Sequence, residues 1–123
     1  MIQKTSVKIS IMLPFKAKKF NELERENNRL QKFVRILEKK FHDVIWYIGM
    51  DLFGSDIYER FTFDSGGFME IKLGDFELNA YFDSKEKAGK FKEALEKTLS
   101  FFVKSKPKIE IKEGFIKLED VIK

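Results

Sequence analysis

Apolar and polar residues alternate near the start of the chain, and the alternation predicts a half-buried strand over Ser6–Leu13. Its apolar positions are Val7, Ile9, Ile11 and Leu13. Pro14 ends the pattern. From about Ala17 to Phe41 the apolar residues recur at three- and four-residue steps, and no Gly or Pro interrupts them. This spacing predicts a long amphipathic helix.

A run of four strands is predicted after this helix. Val44–Met50 is apolar at both odd and even positions, which is typical of a central strand covered on two faces. Two turn sequences, Asp64–Gly67 and Gly74-Asp75, supply residues that accept positive φ. The segments that these turns separate are Ile57–Phe63, Phe68–Leu73 and Phe76–Phe82. The pattern therefore predicts an antiparallel meander.

A second helix is predicted to start at Lys85, with Asp83 or Ser84 as its cap. Its apolar face repeats at helical steps, and Lys106-Pro107 ends it. That face consists of Ala88, Phe91, Leu95, Leu99 and Phe102. Beyond it, Ile109 and Ile111 alternate with charged residues, Glu113-Gly114 resembles a turn, and Phe115–Leu118 is a candidate last strand. We therefore expect one α+β domain over residues 1–123. The elements follow the order strand, long helix, four-strand run, helix and C-terminal hairpin. The sheet is mostly antiparallel, and the two helices pack on one of its faces.

The long helix carries a heptad-like seam with Asn27 at a central position. The seam positions are Phe20, Leu23, Asn27, Leu30, Val34, Leu37 and Phe41. In coiled coils a single polar residue at such a position fixes register and oligomer state. This interpretation makes the helix an interface with a second copy or another protein, contacted through Leu23, Asn27, Leu30 and Val34.

Packing of the helix on its own sheet is the alternative, because any amphipathic helix shows the same spacing. Phe33 and Ile36 widen the apolar stripe and favour this second interpretation. Both can hold if the helix is longer than its sheet, with Leu30–Phe41 over the core and the end around Leu23–Asn27 free to meet a partner.

Composition limits the class of protein. Hydrophobic residues make up 43% of the chain and charged residues 36%, as in a globular domain. The absence of cysteine excludes disulfides and thiolate metal sites. No apolar run is long enough to cross a membrane and no leader is recognisable, so a cytoplasmic protein is expected. Abundant Lys and Glu, beside two Gln and four Asn, lean towards a thermophilic source.

Charge is segregated along the chain beneath the net +4. Residues 1–42 carry eleven Lys and Arg against four Glu, whereas residues 43–83 carry two against nine acidic residues. The acidic meander disfavours RNA binding on the open sheet. A row of cations opposite the helix seam could instead contact the phosphates of RNA or DNA, although an ordinary solvated helix face has the same pattern. The row consists of Arg25, Arg29, Lys32, Arg35 and Lys39.

No residue pattern nominates catalytic residues, a metal site or a cofactor. His42 is the single histidine and stands at a helix end, where contact with the helix dipole is the commoner role. Five Asp residues near loops match no calcium motif and suit turns: Asp51, Asp56, Asp64, Asp75 and Asp83. Gly66-Gly67 lacks the Lys-Ser/Thr of a phosphate loop, and no serine stands in a nucleophile elbow.

The order of a strand at Val7–Leu13, a helix, strands and a capped helix at Asp83–Val103 resembles the small dimerising subunit of the KEOPS tRNA-modifying complex. The long helix and the C-terminal hairpin depart from that pattern, and no residue role carries over.

Three hypotheses for the function follow from the sequence. The first is a non-enzymatic interaction module that self-associates, or joins a larger assembly, through its long helix or a sheet edge. The second is an accessory protein that contacts nucleic acid, as a tRNA-modifying complex would require, and the third is a small enzyme or ligand binder.

Overall fold

The computed structural model describes residues 3–15, 20–103 and 110–117, and it describes side chains over 7–15 and 25–103. The described part contains two helices and one six-stranded antiparallel sheet with the order β2-β3-β4-β5-β1-β6. The elements are β1 (Gln3–Met12), α1 (Phe20–Phe41), β2 (Ile45–Phe53), β3 (Asp56–Phe63), β4 (Phe68–Lys72), β5 (Glu77–Phe82), α2 (Lys85–Leu99) and β6 (Glu110–Lys117). The predicted α+β class is confirmed.

The predicted C-terminal hairpin is wrong. β6 runs without a turn through Glu113 and Gly114, and Gly114 lies opposite Ser6 of β1 in a continuous antiparallel ladder. The alternation of apolar and charged residues on both sides of Gly114 is that of one strand. A glycine is tolerated inside a strand at some cost in stability, so its presence does not require a turn.

The prediction of a central, doubly covered strand at Val44–Met50 is also wrong. This segment forms most of β2, which is the terminal strand of the sheet and pairs with β3 on one side. β1 does not pair with β2, the next strand in the sequence. It lies at the other side of the meander, between β5 and β6. The apolar run therefore lies at the boundary of the sheet.

The core lies between the sheet and the helices. Ring contacts join both helices to the same two sheet residues: Phe41 of α1 and Phe91 of α2 each contact Phe63 and Phe82 with ring centroids 5.0–6.0 Å apart. Phe63 and Phe82 stack on each other at 5.2 Å. Both helices therefore pack against the face that carries these rings, and the edge-to-face geometry adds to the apolar burial.

The middle and end of α1 pack on this core. Leu30, Phe33 and Leu37 are buried, and Val34 and Phe41 are partly buried against the same cluster. Phe33 lies outside the heptad seam, so the buried stripe is broader than a coiled-coil seam. In the described residues, no helix has the length and apolar character needed to cross a membrane.

The local sequence explains where α2 begins and where α1 ends. Ser84 caps α2, since its side-chain oxygen accepts a hydrogen bond from the Lys87 amide at 3.1 Å, as predicted. His42 follows α1 with a positive φ of 58° and donates its backbone N–H to the Glu38 carbonyl. Histidine is one of the non-glycine residues that tolerate this left-handed conformation. His42 therefore has a structural role in ending α1.

Candidate functional site

The free edge of β2 is the most unusual surface of the described chain. Six of its nine residues have apolar or aromatic side chains that are more than half exposed: Trp46, Tyr47, Ile48, Met50, Leu52 and Phe53. Leu52 is 71% exposed, the highest value among the exposed large hydrophobic residues. Single exposed apolar side chains are ordinary on protein surfaces, whereas a contiguous group indicates a surface that another molecule covers.

A β-bulge distributes these side chains over both faces of β2. Tyr47 lies opposite the buried Phe61, so its side chain is on the helix side of the sheet. The register shifts by one residue between Tyr47 and Gly49. Met50 and Leu52, which would otherwise point away, are thereby brought to the helix side as well. Trp46 and Phe53 point to the opposite side, and apolar surface therefore flanks the edge above and below.

The backbone of β2 also presents unpaired groups at this edge. The Val44 carbonyl accepts a hydrogen bond from the Asp64 amide, whereas the Ile45 amide points away from β3 and donates to Oε2 of Glu38 at 2.8 Å. Antiparallel strands alternate residues that bond inward with residues that bond outward. Tyr47 therefore directs its N–H and C=O to the free edge, where an added strand would meet them.

Natural proteins usually protect such edges with charges, prolines or short strands. β2 is nine residues long, contains no proline, and has Asp51 as its single charged residue. The sequence of β6, at the other edge of the sheet, contains four charged residues: Glu110, Lys112, Glu113 and Lys117. The two edges thus differ in the feature that opposes strand addition.

A cleft lies beside the edge, on the helix side, between α1 and the β2–β3 pair. Its volume is about 390 Å³. Its walls are mainly apolar, with Gln31, Arg35 and Glu59 as the charged or amide-bearing residues. The apolar and aromatic lining residues are Leu30, Val34, Ile45, Tyr47 and Phe61. Because Ile45 and Tyr47 also belong to β2, the cleft opens next to the free edge.

Glu59 is the chemically distinctive residue of this cleft. Burial raises the pKa of its carboxyl above the ordinary value of 4.5. In the part of the chain that the structure describes, no hydrogen-bond donor or ion-pair partner is recorded for this carboxylate. Burial, followed by the negative charge of Glu59, raises the pKa of the neighbouring Tyr47 hydroxyl. The cleft thus holds a half-buried carboxylate that forms no ion pair with any described residue.

Two cations on the opposite face of the sheet, Arg60 and Lys72, form ion pairs with carboxylates. Arg60 pairs with Asp51 at 3.3 Å and with Glu70 at 3.5 Å. Lys72 pairs with Asp75 at 3.5 Å and with Asp56 at 3.8 Å. The carboxylates of Asp75 and Asp56 raise the pKa of Lys72. Arg60 and Lys72 are therefore less available to a phosphate backbone.

An aromatic pair lies on the same open face. Phe68 and Tyr81 stack with centroids 4.8 Å apart, and the Lys8 ammonium lies 5.7 Å from the Tyr81 ring centroid. Burial raises the pKa of Tyr81 to about 12, and the carboxylates of Glu70 and Glu77 add to the shift. A tyrosine with this pKa remains protonated at neutral pH, so it is unsuited to act as a base.

The predicted basic face of α1 is largely exposed. Arg25, Lys32, Arg35 and Lys39 are exposed. Arg29 is instead engaged locally: its guanidinium lies 3.3 Å from Glu26 and 4.9 Å from the Phe15 ring centroid. Glu26 is buried and also pairs with Arg25 at 3.6 Å. Four of the five predicted phosphate contacts therefore face solvent, and the fifth helps to hold α1 against Phe15.

The predicted interface residues of α1 have different surroundings. Leu30 is buried in the core and Val34 is partly buried against it. Asn27 is half-buried, and its Oδ1 has no hydrogen-bond partner among the described residues. The side chain of Leu23 lies outside the described part. Contact of this helix end with a partner stays a prediction.

Within the described ranges, the other candidate residues do not come together in a catalytic arrangement. The described residues contain no group of three or more His, Asp or Glu able to hold a metal ion. Asp43 and Asp64 serve the start of β2: Asp43 accepts hydrogen bonds from Ser65, and Asp64 accepts one from the Trp46 indole at 3.3 Å. His42 is exposed. Asp43 and Asp64 therefore stabilise the loop next to β2 through hydrogen bonds.

The two features that define this site were missed by the sequence analysis. The apolar run at Val44–Met50 was visible but was interpreted as a buried strand. The run contains no charge that would protect an edge, but this fits both an internal strand and a docking edge, so the sequence did not distinguish the two. Glu59 is two residues from Phe61, so strand alternation places it on the apolar side of β3, but no sequence pattern indicates that α1 forms a cleft over it.

No protein-family model, curated protein or solved structure matches this chain. The case for function therefore depends on the geometry described above.

Replacing Glu59 tests whether its negative charge destabilises the folded chain in the absence of a partner. The carboxyl has a higher pKa in the folded chain than in the unfolded chain, so folding favours its protonated form. Below pH 4.5 the Glu59 carboxyl is protonated in both the folded and the unfolded chain, so it does not destabilise the fold. The free energy of unfolding decreases as the pH rises through the higher pKa of the folded chain. Glu59→Gln should therefore raise the melting temperature at pH 7, and its advantage should shrink below pH 4.5. Thermal unfolding followed by circular dichroism measures this.

Glu86→Gln is the matched control, because it removes the same charge from an exposed position on α2. It should leave the melting temperature at pH 7 nearly unchanged. A Glu59→Gln variant that is less stable than the parent at pH 7 would contradict the description of Glu59 as an uncompensated charge.

Proposed function

We propose that this chain is a non-enzymatic interaction module whose docking surface is the free edge of β2. In this proposal it self-associates, or serves as a small subunit of a larger assembly, by accepting a strand at that edge. The single observation that carries the proposal is a terminal strand with outward-facing backbone groups and exposed apolar side chains on both faces. The cytoplasmic location expected from the sequence belongs to the same proposal.

Strand addition accounts for both the backbone and the side chains of β2. Main-chain hydrogen bonds supply affinity in this mode of recognition, and alternate side chains supply specificity. Full burial of a Leu or Phe side chain contributes about 1.5–3 kcal/mol, so covering Leu52, Phe53 and their neighbours would provide a large apolar contribution. The long helix is less suited to be the main docking surface, since Leu30 and Leu37 are already buried in the chain's own core.

In the absence of another partner, the edge should pair with a second copy of itself. We expect the purified chain to form dimers in sedimentation experiments at micromolar to millimolar concentration. Dimerisation should shift the emission of Trp46 to shorter wavelength, because this residue is the chain's single tryptophan and is 54% exposed on β2. Ile48→Lys and Leu52→Lys should each weaken the association at least about tenfold, since a charge on an edge opposes pairing.

Phe101→Lys is the control for a general loss of apolar surface, because Phe101 is 63% exposed but lies outside β2. It should leave the association constant unchanged. A chain that stays monomeric over the whole concentration range, with unchanged Trp46 emission, would contradict self-association through this edge.

A second candidate function, contact with nucleic acid, is favoured by the exposed cations of α1. Arg25, Lys32, Arg35 and Lys39 follow one another at seven, three and four residues, which aligns them along one side of a helix. Backbone phosphates are the natural partners of such a row. Nearby carboxylates limit the idea at one end, because Arg25 lies 3.6 Å from Glu26.

This second candidate predicts a steep dependence on salt. A fluorescently labelled RNA should bind at about 50 mM salt and lose at least about tenfold in affinity by about 200 mM. Lys32→Glu combined with Lys39→Glu should abolish binding, and Lys97→Glu on α2 should have a much smaller effect. Fluorescence anisotropy measures all three. The absence of binding at low salt would reject this function without affecting the first proposal.

A further inference from the structure

The cleft beside β2 is continuous with the proposed docking edge. Ile45 and Tyr47 line the cleft with their side chains, and Tyr47 directs its backbone to the free edge. A strand added at the edge would place every second side chain on the helix side, next to the cleft. The chemistry of the cleft therefore bears on which strand the edge accepts.

Glu59 determines the charge that fits this cleft. Its carboxylate is half-buried among apolar residues and has no cationic partner recorded in the described part of the chain. Arg35 also lines the cleft but is exposed and forms no recorded ion pair with Glu59. A partly desolvated charge is unfavourable unless an opposite charge or hydrogen-bond donors compensate it.

We infer that the β2 edge takes an extended segment of another protein in which a Lys or Arg, flanked at alternate positions by apolar residues, enters the cleft and pairs with Glu59. This inference rests on the proposed strand addition at β2 and names the partner's chemistry. Lys and Arg suit the cleft because their aliphatic stems pack on apolar walls while the charged end reaches a polar group.

A second copy of β2 fits the cleft less well. Its sequence, Ile45–Phe53, contains no Lys or Arg, so self-pairing would cover Glu59 without neutralising it. The wider meander is acidic as well: residues 43–83 contain two basic and nine acidic residues. Like charges on both partners oppose association, whereas a basic segment complements this surface. Pairing with a second copy is therefore the weaker use of the edge.

The distance is compatible with a long basic side chain. Glu59 lies on β3, one strand inside the edge, and an added strand would lie two strand spacings from β3. Two spacings amount to about 10 Å. The side chain of a Lys or Arg on the added strand can extend across β2, and the Glu59 side chain can extend towards it. Together they can span this separation.

Three capped peptides test the inference: Thr-Val-Thr-Lys-Thr-Val-Thr and two versions in which Met or Glu replaces the central Lys. Met keeps the length and apolar character of the lysine stem without its charge. Each is titrated into the chain at a concentration where it is monomeric, and Trp46 emission reports binding. The lysine peptide should bind at least about tenfold more tightly than the methionine peptide, and the glutamate peptide most weakly.

Glu59→Gln should remove the preference for lysine over methionine, whereas Glu86→Gln, which removes the same charge from α2, should retain it. Sedimentation should also show that the lysine peptide dissociates any dimer of the chain. Equal binding of all three peptides would overturn the inference and leave strand addition standing. Binding of none, by a chain that still dimerises through β2, would overturn it in favour of a second copy. A chain that neither binds peptides nor dimerises would remove both proposals.

Discussion

Antiparallel pairing of β1 with β5 determines where the free edge of the sheet lies. The ladder from Val7 opposite Phe82 to Met12 opposite Glu77 places the first strand of the chain beside the last strand of the meander. β6 then adds to the other side of β1. β2, at the far end of the meander, is left with one neighbour among the described strands. The apolar side chains that an internal strand would bury therefore remain in solvent, and the proposed function follows from this position.

Local sequence information was sufficient where structure depends on neighbouring residues. The helical spacing before Phe41, the turn at Gly74-Asp75 and the cap at Ser84 each depend on a few adjacent positions, and the corresponding elements form as predicted. The order of strands in the sheet depends instead on contacts between distant segments. An apolar strand such as Val44–Met50 has the same sequence pattern whether it is internal or terminal, so its position could not be predicted from the pattern alone.

The same limit applies to the cleft. Strand periodicity places Glu59 on the same side of β3 as the apolar Ile57 and Phe61, but the pattern does not show that α1 lies on that side and forms a cleft with it. Its burial thus results from the placement of α1, which no local pattern specifies. A charge that raises the free energy of the isolated fold can be retained when a partner compensates it, which connects the cleft to the edge beside it.

Amide hydrogen exchange at Tyr47 and Trp46, followed by NMR across a range of protein concentrations, tests the central claim most directly. The Trp46 amide points towards β3 and should exchange slowly at every concentration, whereas the outward-facing Tyr47 amide should exchange fast in dilute solution. Docking at the edge predicts that the Tyr47 amide becomes protected as the concentration rises or as a strand-forming peptide is added. Fast exchange of the Tyr47 amide under all these conditions would contradict the account.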